Sequence, residues 1–573
     1  MSTGNVAAQG STTTTAEPSR ALIAVVRKVV FAGLVLLGAW LLLLALRGFI
    51  SPELVERINE QQRLSLPYET SSWDWNTSIQ AGLPISEMVG PRLSLSLRLI
   101  GTTGLFSLIL AIVLLCVGTL ISRITAGPSW LQKLRSILRL VLVSGGSSVP
   151  AFGGGSALFL VLFTLAGLMW GTRPGTPADF FGMASTSSLL PAWLLVQSGH
   201  GELVKWHGQM RTSALACRVA ARLVIRLLEL IGVIAVVTSS VGIGGLLITG
   251  TRTRDFPVVF RMAWILVVIV TLAKLVASLA EIVFRRITNA QFGPELDEKQ
   301  LRQSAAVPKG WLVFSLGLVA VLILVAMVGP FAAPFGYNEI HFADRFSPPS
   351  WQHLFGTDNL GRDVFSRVLY GLRLDVLVGA ACAAIIIVPS TLWSMLASYL
   401  SRKGTALGDT LEQLVMFPAG VVTAFPWLMA LFVVVGLASG GLQTLGVILV
   451  VSLVLFPRAM IAGKEALCSL PESKEWLSGL VEMVPIVFLF TTAASIIFTA
   501  TLSYSGFGLA PPAPELGNVL SSDGRFISIT APWIAWWPFG FLALSVLILV
   551  MAGNALLERT GFRSRAVWAK TME

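Results

Sequence analysis

Arg285 to Lys309 reads RRITNAQFGPELDEKQLRQSAAVPK, a charged stretch with a proline near each end. Apolar runs long enough to cross a bilayer flank it on both sides, at 258–284 and 311–333. A segment this polar cannot lie in hydrocarbon, so it reads as a cytoplasmic linker. Working outward from it, further apolar runs of spanning length precede it at 29–46, 94–121, 139–168, 186–204 and 222–249. Others follow it at 376–400, 411–436, 442–464, 478–501 and 534–556. The expected architecture is therefore an all-α integral membrane protein of about 12 transmembrane helices in two six-helix halves. The run at 186–204 is interrupted by Gln197 to Glu202, and a broken or partly solvated helix fits it equally well. The expected organisation is a disordered cytoplasmic amino terminus (1–28), a first half (29–284), the linker (285–309), a second half (310–558) and a cytoplasmic tail (559–573).

Composition agrees with that division. Of the 573 residues 54% are hydrophobic and 12% charged, with a mean hydropathy of +0.78, whereas soluble domains carry about 25% charged residues. A soluble enzyme is excluded. The net charge of +11 is scattered in ones and twos, which argues against a nucleic-acid partner. Sorting the basic residues by span gives it another meaning. With the amino terminus inside, the inward loops and helix ends hold 26 Lys and Arg and the outward segments 11, while the acidic residues divide 15 to 15. That is the positive-inside pattern, so both termini are expected to be cytoplasmic.

Candidate chemistry is sparse. Cys116, Cys217, Cys382 and Cys468 lie in or beside apolar runs without metal-ligand spacing and read as small buried hydrophobes. His200 and His207 share a helix face by spacing, yet lone polar residues at a loop edge explain them better than a haem site. There is no GxxxxGK[ST] phosphate loop. No catalytic residue, metal or cofactor is implied, and the chain is not expected to be an enzyme. Trp73, Trp75, Trp533, Trp536 and Trp537 crowd expected interfaces as an aromatic belt against membrane lipid. Lys274 and Glu281 fall on one face of the sixth run, and Arg226 can pair with Glu229. No acidic pair sits mid-span of the kind a proton-coupled carrier needs.

The second half carries the segment His353-Leu-Phe-Gly-Thr-Asp-Asn-Leu-Gly-Arg-Asp-Val-Phe-Ser-Arg-Val-Leu-Tyr-Gly371. It also carries Phe417-Pro418, Pro457-Arg458 and Leu502-Ser-Tyr-Ser-Gly-Phe-Gly-Leu-Ala-Pro-Pro-Ala-Pro-Glu-Leu-Gly-Asn-Val-Leu520. These closely resemble the inner-membrane permeases of bacterial dipeptide, oligopeptide and nickel ABC importers. The first half resembles the partner permease more weakly, through Gly146 to Phe152, Leu190-Pro191 and Arg254 to Val259. The resemblance implies two permeases fused through 285–309, working with ATPase subunits and an extracytoplasmic substrate-binding protein.

Within the signature, Gly356, Gly361 and Gly371 permit tight turns. Asp358 and Asp363 can cap or pair with Arg362 and Arg367, and the stretch that follows can lie amphipathically along the interface. Gly356, Thr357, Asp358, Asn359, Gly361, Arg362 and Asp363 are thus a candidate turn-and-cap element or partner contact. Gly506, Gly508, Pro511, Pro512, Gly517 and Asn518 form a second such element. The resemblance also predicts a coupling loop with a Glu-Ala-Ala pattern between the fourth and fifth helices of each half, where an ATPase docks. Both loops look lost. In the second half the region is marked by Glu465, Ala466, Glu475, Gly479 and Pro485, the last matching a proline at the start of the fifth helix. Three functions follow: a transporting permease with partners on an altered surface, a permease-derived scaffold or accessory subunit in a larger membrane complex, and an ion-coupled carrier.

Overall fold

A computed structural model describes residues 17–48, 75–79, 81–123, 195, 212–229, 243–253, 255–292, 309–402, 405–424, 444–468, 476–504, 508–509, 512–522 and 531–560. The described helices are α1 (Glu17–Gly48), α2 (Ile85–Arg123), α3 (Thr212–Glu229), α4 (Ile243–Arg252), α5 (Phe256–Phe292), α6 (Lys309–Ala332), α7 (Val364–Arg402), α8 (Ala406–Ala424), α9 (Thr444–Cys468), α10 (Trp476–Tyr504), α11 (Leu516–Ser522) and α12 (Trp533–Thr560). Among the described residues there is no strand, only the isolated bridges Thr77–Pro84 and Thr357–Asp363.

The protein is an all-α membrane protein. Eight of the described helices are long and apolar enough to span a bilayer. The runs expected at 139–168 and, but for Leu195, at 186–204 lie outside the described residues, as do 230–242 of the run at 222–249 and 425–443, which takes in the end of 411–436 and the start of 442–464. A membrane span must satisfy its own backbone and show hydrocarbon to lipid. Accordingly Val30, Leu37 and Leu41 of α1 and Val313 and Leu324 of α6 are exposed. Hydroxyls and charges turn inward instead: Ser390, Ser394, Thr491, Ser495 and Arg458 are all buried.

Prolines sit inside α2, α6, α7, α8, α9, α10 and α12. Each removes one backbone donor from the helical ladder. Beside Pro389, Thr391 Oγ1 donates to the carbonyl of Ile387 at 2.7 Å, and Ser394 donates onward to the carbonyl of Met460 on α9 at 2.8 Å.

Several expectations are corrected. The stretch after the signature is continuous with a long helix. It forms the first turns of α7, whose 39 residues reach about 58 Å, nearly twice the hydrocarbon thickness of ~30 Å. Pro485 stands inside α10 rather than at its start, because the helix begins at Trp476. Lys274 and Glu281 both lie on α5, where Glu281 pairs with Arg222 of α3 and the ammonium of Lys274 donates to the carbonyl of Thr423 on α8 at 3.0 Å. Cys382 is buried as expected, but Cys116 and Cys468 are exposed on their helices.

α1 crosses the midpoint of the chain to pack on α8 as well as α5. The contact is made by glycines. A Cβ at Gly38 would stand 2.7 Å from Val421 and 2.8 Å from Phe417, and one at Gly420 would stand 2.9 Å from Phe31. Small residues let helices approach closely enough for dispersion to hold them, which matters in lipid because hydrocarbon burial gains nothing there. A Gly38→Leu substitution is expected to cost about 1–3 kcal/mol by overpacking and to lower the thermal midpoint in detergent. Gly33→Leu on the same helix, where a side chain meets nothing within 4 Å, should leave that midpoint unchanged.

Candidate functional site

The loop between α6 and α7 is built around one carboxylate. Asp358 is fully buried, and its Oδ1 accepts the amides of Leu360 at 2.8 Å and Arg362 at 3.0 Å. Its Oδ2 accepts Arg362 Nε at 2.7 Å and also Arg367 Nη1 from the first turns of α7. Two buried guanidiniums thus converge on one acid and tie a turn at 358–362 to the helix that follows it. The turn itself needs a left-handed residue. Gly361 supplies φ +77°, and any Cβ there would overlap the carbonyl of His341.

Asp363 performs the second task. Its Oδ2 accepts the amide of Ser366 at 2.7 Å, which caps the first turn of α7, while Oδ1 meets His353 Nδ1 at 3.0 Å. His353 is buried and stacks on Phe335 with ring centroids 5.0 Å apart. Thr357 bridges strand-like to Asp363, accepts the amide of Ser347 at 2.9 Å and donates to the carbonyl of Asp344. Its own carbonyl accepts Trp533 Nε1 at 3.3 Å, and Gly356 leaves the room in which that indole sits. The carbonyl of Asn359 accepts Arg345 Nε at 2.6 Å. All seven residues of the expected signature therefore meet in one place, against the start of α12.

The second element lies beside the first. Asn518 Nδ2 donates to the carbonyls of Leu509 at 3.2 Å and Ala513 at 3.1 Å, closing the loop before α11 on itself. Gly517 lies directly on α10, where a side chain would overlap the carbonyl of Ala500, and Gly508 is pressed likewise on Ser503. Pro512 is exposed. Gly506 and Pro511 lie outside the described residues.

Glu515 has no counterpart in the expected site. Fully buried, it accepts the amides of Gly517 at 3.0 Å and Asn518 at 2.8 Å. Burial pushes its carboxyl above the ordinary range, while those two amides and the Ser503 hydroxyl pull the other way. The first half has a smaller device of the same kind. Asp255, buried before α5, accepts the Ser78 hydroxyl and the Ile79 amide, the latter at 3.1 Å, and so fastens the segment before α2.

At the opposite end of the bundle α9 ends at Cys468 and α10 begins at Trp476. Glu465 and Ala466 belong to the last turns of α9 and Gly479 to the first turn of α10, while Glu475 lies outside the described residues. Arg402 Nη2 donates to the carbonyl of Leu467 at 2.5 Å, and Lys464 pairs with Glu412 of α8. These bonds lace the ends of α7, α8 and α9 together. No group of three or more His, Cys, Asp or Glu that could hold a metal occurs among the described residues.

A family model for the N-terminal transmembrane domain of oligopeptide transport permease C matches residues 311–349, which hold α6 and the beginning of the signature loop. A putative peptide transport system permease protein of Brucella suis is 30% identical over 259 residues, 43% of this chain and 86% of the relative. The di/tripeptide transport system permease protein DppC of Pseudomonas aeruginosa is 30% identical over 282 residues, 45% of this chain and 88% of the relative. The glutathione transport system permease protein GsiD of Pectobacterium atrosepticum is 29% identical over 275 residues, 45% and 87% respectively.

Removing the central acid takes from two buried guanidiniums the carboxylate on which they converge. Asp358→Asn should therefore cost about 3–5 kcal/mol and open the 333–363 loop to limited proteolysis at temperatures where the parent resists. Glu339→Gln, an exposed acid in the same loop, should change neither reading.

Proposed function

Because this chain belongs to the permease family of bacterial peptide ABC importers, we propose that it joins both permeases of such an importer in one polypeptide. Its function is that of the membrane-spanning permease component. A relative matched over 86% of its own length occupies 43% of this chain, and that single observation carries the fused reading. The start of the family-model match at residue 311, just past the charged stretch, supports 285–309 as the junction. The contacts of α1 and of Lys274 with α8 give the two halves a shared seam beside which a pathway can run.

The cargo in this reading is of the peptide class, as the names of the relatives suggest. Partners are a substrate-binding protein at the end that carries the signature loop and ATPase subunits at the opposite end. The membrane is the bacterial inner membrane, with both termini cytoplasmic, an orientation supported by the 26-to-11 distribution of basic residues. An ATPase works on a permease only through a contact that transmits its closure. Here the surface offered is the laced end of α7, α8 and α9, with Arg402, Glu412 and Lys464 on it, rather than a long loop between α9 and α10. The relatives give no support to a scaffold or to an ion-coupled carrier.

Reconstitution tests this directly. The chain, purified with the ATPases and binding protein of a peptide importer from the same organism and placed in liposomes, should take up labelled di- or tripeptide only with ATP. It should bind two ATPase subunits per permease chain. A requirement for a second permease polypeptide would refute the fusion, and a stable complex lacking ATPase would refute the importer.

A further inference from the structure

Gly371 brings the loop before α11 directly onto α7, since a Cβ there would overlap the carbonyl of Pro514. One turn further along α7 stands Asp375, 1% exposed, with its carboxyl against that of Glu515, which is 0% exposed. The two acids differ in their donors. Both oxygens of Glu515 accept backbone amides, from Gly517 and Asn518. Neither oxygen of Asp375 accepts a hydrogen bond from any described residue, although the Leu516 amide leans towards it.

Among the described residues no cation answers the pair. On α7 itself Arg367 is bound to Asp358, and Arg373, two positions before Asp375, falls on another face of the helix. On α9 the guanidinium of Arg458 donates to the carbonyl of Val454 at 2.7 Å and lies 6.0 Å from the ring of Phe498. Glu412 of α8, Lys464 of α9, Glu482 of α10, Glu558 of α12 and Lys309 of α6 belong to the far ends of their helices. From α10, Ser503 faces Glu515, and Tyr504 ends the helix at the near side.

Two buried carboxylates in contact, with no countercharge among the described residues, repel each other when both are ionised, whereas a single proton between them converts repulsion into a hydrogen bond. We infer that Asp375 and Glu515 form a proton-binding site, in which one proton carried on Asp375 is donated to Glu515 and seats residues 512–516 on α7. Glu515 keeps its charge on the two amides, and Asp375, whose oxygens accept from no described residue, becomes the donor. Loss of the proton sets two like charges against each other and releases the segment. The site is thus a proton-dependent latch between α7 and the second outer element, and it stands whatever the cargo or motor.

The sign of its pH dependence follows. A carboxyl that binds its proton more firmly folded than unfolded contributes stability that is complete below the ordinary carboxylate value and is lost as pH rises through the folded value. Two measurements on the full chain in nanodiscs test this. Infrared spectra at neutral pH should show the carbonyl stretch of a protonated carboxylic acid that moves on deuteration and vanishes in Asp375→Asn. The thermal midpoint of the parent should fall as pH rises from neutral to alkaline, and that fall should flatten in Asp375→Asn, whose amide still donates to Glu515. Should that variant not fold, Glu515→Gln and the parent spectrum carry the same test. Absence of the protonated band in the parent, or a band untouched in both variants, overturns the site. So does an alkaline midpoint raised by sodium or potassium chloride but not by choline chloride, which would place a metal cation between two carboxylates.

Discussion

Four donors share the carboxylate of Asp358, two from the turn that contains it and two from guanidiniums, one of them already inside α7. In a loop that must leave the bilayer, reverse and re-enter as a helix of 39 residues, this is the contact that sets the angle of re-entry. Its surroundings leave it little choice. With the aspartate buried and its partners nearly so, water cannot compensate any of the charges, and each is held where the others need it. Asp363, His353, Thr357 and Trp533 then build outward from that centre, so the start of α12 is oriented by the same turn that orients α7.

The rest of the second half obeys the demands of lipid. Prolines appear in nearly every long helix, and hydroxyls turn back on their own backbone, as Thr391 does on the carbonyl of Ile387. Where helices meet, glycine replaces bulk. Polar groups therefore gather between helices rather than on their outer faces, and the same inward turning that buries Ser394 and Thr491 also buries Arg458, Asp375 and Glu515.

Spans and signature were legible because they are local. A run such as 311–333 declares itself by length and composition, and Asp358 lies so close in sequence to Arg362 and Arg367 that pairing is the simplest reading. What escaped was long-range. His353 gave no sign of packing on Phe335 and bonding Asp363, because a lone histidine in a loop looks the same whether it is solvated or enclosed. Asp375 and Glu515 looked like unrelated acids until the fold laid the loop before α11 on α7, and Ser78 and Asp255 are likewise joined only by the fold. Pro485 misled for a different reason. The family resemblance places it at the start of the fifth helix, whereas α10 begins at Trp476 and carries the proline inside.

The glycines that let helices touch also limit how they can move. Gly379 of α7 presses on Ile496 and the Thr492 carbonyl of α10, Gly463 of α9 on Ser394 of α7, and Gly553 of α12 on the ring of Phe490. Each is a tooth seated in a notch one residue wide. To slide past its neighbour by a turn, a helix would have to drive an ordinary side chain into that notch. These four helices are therefore held in register by the same glycines that bring them into contact, and the seam between α1 and α8 is keyed in the same way.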